Sequence, residues 1–466
     1  MLFLLIACTP DEALTLPDAV AVISDSGNQR VVYTQLVDRA VVYELDLLAL
    51  HPEDCGVIID GAEPSTCIAF QTDPEVVTDA DGTHDELVYT YDRQSGDDLF
   101  ERAVIERVRL SDAPTVSWRL DALDFATNYA GQGDLCTDVD PCAGGADQTN
   151  ADAALRCRLA HSHDFDILAE DETSVDLLIA DSTNERALTV HLDKATTCGV
   201  VTDVMADPTL PAWAVGRTPN DIDTVPISGS EPGALVTFRS TNGDVTTGGL
   251  DGGGDGNGLV VFYVPGGAGW EEAWRFPSEG FLNSPHDSSI VTAASGAQYL
   301  VIAHSNGNGQ HLQADWTLLT DSAGSITVAA LSEDLTQPPD YRFDAVLPPS
   351  VADEGFGFLR SVHPYESGVD GPAPTAGLDW ILADSGCMSV TEGCPHDPSV
   401  RAVQFDLEDP MDGPGNGAFD PSRAQQLLLP VVSAGVPLDC GFAVPYVADL
   451  VWTTGGGVGE SGEGCE

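Results

Sequence analysis

The chain has 466 residues, with 75 acidic side chains against 18 basic ones and a formal net charge of −57. Such a surface repels nucleic acid and anionic headgroups, so a phosphate-backbone partner is excluded. The 47 glycines and 30 prolines, with no extended run of apolar residues at helical spacing, exclude a helical bundle or coiled coil.

The first predicted element is the apolar run of residues 1–8, Met1-Leu-Phe-Leu-Leu-Ile-Ala-Cys8. It is far shorter than the ~20 residues needed to span a bilayer. Its end, Leu5-Ile-Ala-Cys8, resembles the lipobox of bacterial lipoproteins. The resemblance implies cleavage before Cys8, a lipid on its sulfur, and a membrane-tethered place in the bacterial envelope, in the periplasm or at the outer surface.

Short strands separated by turn residues follow throughout. They include Ala19-Val-Ala-Val-Ile23, Arg30-Val-Val-Tyr33, Glu86-Leu-Val-Tyr-Thr-Tyr91, Gly258-Leu-Val-Val-Phe-Tyr263 and Ser325-Ile-Thr-Val-Ala329. Three segments repeat a polar entry, two apolar strands and a polar turn. His161-Ser-His163-Asp-Phe-Asp leads to Leu177-Leu-Ile-Ala-Asp181, Ser284-Pro-His286-Asp to Leu300-Val-Ile-Ala-His304, and Ser361-Val-His363-Pro to Trp380-Ile-Leu-Ala-Asp384. Repeated units of this kind predict an all-β fold, a single β-propeller over residues 18–452. Six blades are expected, at about 18–50, 84–122, 161–210, 233–278, 284–333 and 361–407, with seven as the nearest alternative count and two stacked β-sandwiches as the competing architecture. Phe442 to Trp452 is left to close the ring or complete the first blade. Residues 124–160 and 408–439 read as loop insertions, and 453–466 as a flexible tail rich in glycine and glutamate.

In the turns Asp25-Ser-Gly-Asn28-Gln-Arg30 and Asp181-Ser-Thr-Asn184-Glu-Arg186, small polar residues bond back to the backbone and the arginine is placed to pair with an acid. These are structural. In the fifth unit His304 takes the aspartate position, which breaks the pattern.

Cysteine usage agrees with export. Eleven are present, and setting Cys8 aside leaves an even number. Cys55 with Cys67, Cys136 with Cys142, Cys387 with Cys394 and Cys440 with Cys465 are close in sequence, and Cys157 and Cys198 remain; pairing is left open, with loop disulfides expected over zinc ligation. Asp138-Val-Asp140 and Asp251-Gly-Gly-Gly-Asp255-Gly-Asn257 are candidate loops for structural calcium, although neither has EF-hand spacing, and a solubilising acidic coat is the preferred reading of the charge.

His163, His286 and His363 stand at the entries of three repeats, and equivalent positions in a radial repeat face one axis. From these pieces, over about 160–390, the chain resembles the bacterial PAPS-independent arylsulfotransferases. That resemblance implies a funnel in which His363 attacks an aryl sulfate ester, holds the sulfuryl group and passes it to a phenol, with no cofactor required. His286 and His163 map to the other funnel histidines, and His304 stands where the family has an arginine. Pro364 is a second departure. Arg360 is a candidate for restoring the missing charge. The alternative is a non-catalytic envelope propeller binding a protein, glycan or small ligand. The third reading is a calcium-dependent propeller hydrolase using Asp164, Asp287 and Asn283.

Overall fold

The computed structural model describes residues 19–25, 30–35, 41–52, 68–69, 74–77, 86–95, 98–111, 113–125, 159, 161–182, 184–205, 217–227, 229, 231–240, 258–267, 269–278, 282, 285–293, 295–304, 325–346, 359–365, 379–384, 399–404, 417–418, 427–428 and 445–452. Nearly all are strand.

In chain order, β1 (Ala19–Asp25), β2 (Arg30–Gln35) and β3 (Val41–Asp46) lead into a single helical turn, α1 (Leu47–Leu50). Then come β4 (Ile68–Ala69), β5 (Glu75–Val77), β6 (Glu86–Ser95), β7 (Asp98–Arg109) and β8 (Thr115–Leu120). The next group is β9 (Ala122–Asp124), β10 (Ser162–Glu170), β11 (Ser174–Asp181), β12 (Arg186–Asp193) and β13 (Cys198–Val204). It is followed by β14 (Arg217–Val225), β15 (Gly233–Ser240), β16 (Leu259–Gly266) and β17 (Gly269–Phe276), then β18 (Pro285–Thr292), β19 (Gln298–His304), β20 (Ser325–Ala330) and β21 (Asp340–Val346). The last are β22 (Leu359–Tyr365), β23 (Asp379–Asp384), β24 (Ser399–Gln404), β25 (Gly417–Ala418), β26 (Leu427–Leu428) and β27 (Pro445–Trp452).

These strands form a single all-β propeller whose sheets are antiparallel apart from two short parallel additions. Five blades each open on an inner strand of their own segment: β4 and β5 with β6-β7-β8, then β10-β11-β12-β13-β9, β14-β15-β16-β17, β18-β19-β20-β21-β25 and β22-β23-β24-β26. One further sheet, β27-β1-β2-β3, is composite: β27 from the C-terminal end pairs antiparallel with β1. Neighbouring inner strands touch in ring order, β10 with β14, β14 with β18, β18 with β22 and β22 with β27. The expectation of six, or seven, equivalent four-stranded blades is therefore corrected. Five blades are complete in sequence, the closing sheet is shared by the two chain ends, and three sheets carry an extra short strand. The reason is that pairing follows space and not sequence. β9 joins β13 in parallel, and β25, inside the stretch 408–439 read as a loop, adds to β21. The blade expected from 233 begins at Arg217, and the one expected from 84 begins at Ile68.

The core lies between sheets. Because side chains alternate across a strand, a continuous apolar run buries both faces. In β11, Leu177 and Ile179 pack with Val88, Ile105 and Trp118 of the preceding blade, while Leu178 and Ala180 pack with Val236, Phe238 and Val261 of the following one. In β16, Val260 and Phe262 face Leu300 and Ile302, and Val261 faces back toward Leu178. The composite sheet is locked to the next by Val22, Val31 and Tyr33 against Leu87, Tyr89 and Tyr91. The two aspartate–arginine turns pair as expected: Arg30 Nε lies 3.0 Å from Asp25 and Arg186 Nε 2.6 Å from Asp181. Arg186 is fully buried and also stacks over Phe125 at 4.9 Å.

A buried carboxylate ties each of three blades to the next. Asp164 accepts the Ile222 N–H at 2.7 Å, Asp221 that of Ser288 at 2.9 Å, and Asp287 that of Val362 at 2.6 Å. All three residues hold the same place in their inner strands, and each satisfies an amide that pairing inside its own blade leaves over.

Candidate functional site

The same inner strands share a second feature. β10 is bulged between Ser162 and Asp164, β14 between Pro219 and Asp221, β18 between Pro285 and Asp287, and β22 between Leu359 and Ser361. The residues left out of the ladder are His163, Asn220, His286 and Arg360. A bulge releases one residue from strand pairing and re-aims its side chain. Four consecutive blades thus release a polar residue at one level of the ring, immediately before the position that carries the aspartate ties.

These residues meet. The rings of His163 and His286 are 6.1 Å apart, edge to face. Asn220 Nδ2 lies 3.1 Å from His286 Nδ1 and donates to the His286 carbonyl at 2.7 Å. An amide donor on Nδ1 fixes the His286 proton on Nε2. Burial depresses the His163 pKa well below the ordinary value, reinforced by His161, His286, Arg239 and Arg360. Burial does the same to His286, with Arg360 and Arg239 adding to it. Both imidazoles are therefore neutral at pH 7, and the fixed positive charge of the site comes from the two arginines.

A third histidine backs the first. His161 has φ 50°, an unusual conformation for a non-glycine residue. It reaches across the blade boundary so that Nδ1 lies 2.5 Å from Asp92 Oδ2 on β6, and its Nε2 lies 2.9 Å from Nε2 of His163. The other His163 nitrogen, Nδ1, is buried with no hydrogen-bond partner.

Of the residues singled out in the sequence, His163, His286 and Arg360 occupy equivalent bulges. His304 ends β19 opposite Pro285, beside the bulge, and is buried with Nε2 2.8 Å from Thr327 Oγ1. His363 is not equivalent to His163 and His286. It lies three residues past the bulge, paired with Ile381 in regular ladder, and Arg360 holds the place assigned to it. The position of its side chain lies outside the described residues. Sequence reasoning missed Asn220, Arg239, His161 and Asp92. A signal existed for Asn220: the pairs His163-Asp164, Asn220-Asp221 and His286-Asp287 repeat a ring or amide followed by aspartate. Asp164 and Asp287, assigned as ligands in the hydrolase reading, are occupied by backbone amides.

Among the described residues no group of three or more His, Cys, Asp or Glu could hold a metal ion, and no helix is long and apolar enough to cross a membrane. The calcium loops at 138–140 and 251–257, Asn283, Cys8 and every cysteine except Cys198 lie outside the described residues. Cys198, at the start of β13, is disulfide-bonded. Among the described residues no disulfide is seen with both of its cysteines, so the expected framework of local loop staples is not found there.

No family model matches the chain, and no curated protein matches it. Solved structures do. A protein of unknown function from Bacteroides caccae aligns with TM-score 0.38 and 9% identity, over 88% of this chain and 94% of that one. A putative 6-phosphogluconolactonase from Bacteroides uniformis aligns with TM-score 0.39 and 9% identity, over 84% and 80%. A protein from Lactobacillus plantarum aligns with TM-score 0.37 and 11% identity, over 84% and 93%. At such identities and scores these alignments say nothing about activity. The transferase and lipoprotein assignments are corrected here. With no family match they rest on short motifs alone, and the histidine meant to carry the sulfuryl group is out of register with the other two.

Proposed function

We propose that the propeller is a binding module whose axial site takes a small oxyanion or an oxyanion-bearing ligand. The observation that carries this reading is the register of the four bulges, which release His163, Asn220, His286 and Arg360 at one level of the ring. In a chain of net charge −57, two arginines acting on the same two buried histidines make a local positive field against the acidic coat. Guanidinium groups recognise planar oxyanion faces through paired donors, and the Nε2–H of a neutral imidazole adds a directed hydrogen bond. No chemical step is needed for this function, and the site carries no metal in this reading.

The test is calorimetric titration of the purified chain with inorganic phosphate and with sulfate. Wild type should bind at least one of them. Arg360→Ala should weaken binding by ~10- to 100-fold, the range expected for losing one charge-assisted contact. Binding unchanged in Arg360→Ala, or absent in wild type, would reject the axial anion site.

A further inference from the structure

The chain Asp92–His161–His163 carries more than position. Its hydrogen bonds constrain where the protons are. A carboxylate accepts only, so Asp92 Oδ2 requires the N–H of His161 on Nδ1. The Nε2 of a neutral His161 is then a lone pair, and the 2.9 Å contact requires the proton of His163 on its own Nε2. The remaining nitrogen, His163 Nδ1, is therefore an acceptor, buried and without a partner. A buried acceptor left unmade carries its full desolvation cost, which a ligand donor recovers on binding.

We propose that this relay makes the axial site selective for a protonated oxyanion, such as hydrogen phosphate or a phosphate monoester that retains an O–H, over sulfate. The inference rests on the anion-binding reading of the same site and names its ligand class. Sulfate offers no O–H, and its oxygens meet the His163 lone pair with repulsion. Hydrogen phosphate donates to it.

Calorimetry on the full chain tests this with inorganic phosphate and sulfate as probes. At about pH 8, where phosphate retains one O–H, it should bind ~10-fold or more tightly than sulfate, from the cost of an unmade acceptor. Asp92→Asn no longer demands the N–H on Nδ1 of His161 and should cut the preference to under ~3-fold, since an amide in place of a relay carboxylate permits the wrong tautomer. His163→Phe, which keeps the ring and removes the acceptor, should do the same if the first variant does not fold. Equal binding of both anions in wild type, still dependent on Arg360, would overturn the relay and leave the anion site standing. A phosphate preference that survives in His163→Phe would also overturn it. If neither anion binds wild type, the axial anion site falls and this inference falls with it.

Discussion

Two buried histidine clusters lie in neighbouring parts of the ring, and they differ in how their hydrogen bonds close. In the first, His51 follows α1 and enters the next blade. Its Nε2 lies 2.5 Å from Glu106 Oε1 and its Nδ1 3.3 Å from Arg119 Nη2, while its ring stacks on Tyr91 at 4.9 Å. Tyr89 donates to the same Glu106 oxygen, and Arg119 Nε binds the other at 2.8 Å. Both carboxylate oxygens and both imidazole nitrogens have partners. In the axial cluster, His163 keeps one buried nitrogen without a partner. Identical residue types therefore sit in different networks: a closed one fixes a blade boundary, whereas the open one is where the proposed ligand would bind.

Breaking the closed network should have the largest effect. Burial opposes charge on Glu106, but His51, Arg119 and Tyr89 outweigh it and hold its pKa below the ordinary value. Glu106→Ala strands an arginine head, an imidazole and a phenol at once. The expected loss is about 3–5 kcal/mol, the usual cost of removing one partner of a buried charge pair, read from urea or guanidinium midpoints. A folded pKa lowered from its unfolded value gives stability above the unfolded pKa and loses it as pH falls through the folded one. Wild type should therefore weaken in acid and Glu106→Ala less so. His163→Phe sharpens the contrast: it leaves only one neighbouring lone pair, His161 Nε2, without its donor and should cost about 1 kcal/mol. A large loss there would make the axial cluster structural as well.

The aspartate ties stand between these extremes. Asp164→Ala frees the Ile222 amide in a buried seam and should cost about 1.5–3 kcal/mol, the range for hydrogen bonds to charged groups. Arg360→Ala, at the bulge position of its own strand, should weaken anion binding by ~10- to 100-fold, whereas Asp164→Ala should leave anion binding within a few-fold of wild type where it still folds. Equal loss of binding in the two would remove the distinction between the residue that holds the blade and the residue at the bulge.

The sequence carried the blades well and the site only partly, for identifiable reasons. Runs such as Leu177-Leu-Ile-Ala mark strands buried on both faces, and the polar turns after them mark their ends, so strand order could be read directly. Bulges cannot be read that way. In three inner strands a histidine or asparagine precedes aspartate, but in β22 the pair is Arg360-Ser361, and His363 three residues later mimics the histidine entries of the other repeats. Asn220 was hidden for a second reason: Arg217–Val225 reads as polar and irregular, Arg-Thr-Pro-Asn-Asp, and falls between the blades expected at 161–210 and 233–278. Asp92 and His161 are far apart in sequence and meet only because adjacent blades stack. Composite pairing of β27 with β1 was legible as a leftover apolar segment in need of an edge, whereas the parallel additions of β9 and β25 have no sequence signal.

The smallest predicted effect separates two copies of the same tie. Asp287 is fully enclosed, and burial pushes its pKa up to about 7 against the lowering effects of the Val362 amide and a hydrogen bond with Asp221. A folded pKa raised above its unfolded value of about 3.9 means that the folded state holds the extra proton in between. The stability contributed by this group is complete below about pH 4 and is lost as pH rises through about 7. Asparagine reproduces the protonated form: its carbonyl oxygen accepts from Val362 and its amide donates to Asp221. Asp287→Asn should thus match wild type below about pH 4 and exceed it at about pH 8, with a flatter dependence of the denaturation midpoint on pH. Parallel slopes for the two proteins across that window would mean that Asp287 stays ionised when buried. The tie from Asp287 to Val362 would then be held by a full charge directly beside His286, and burial together with Arg360 and Arg239 would have to keep that histidine neutral against it.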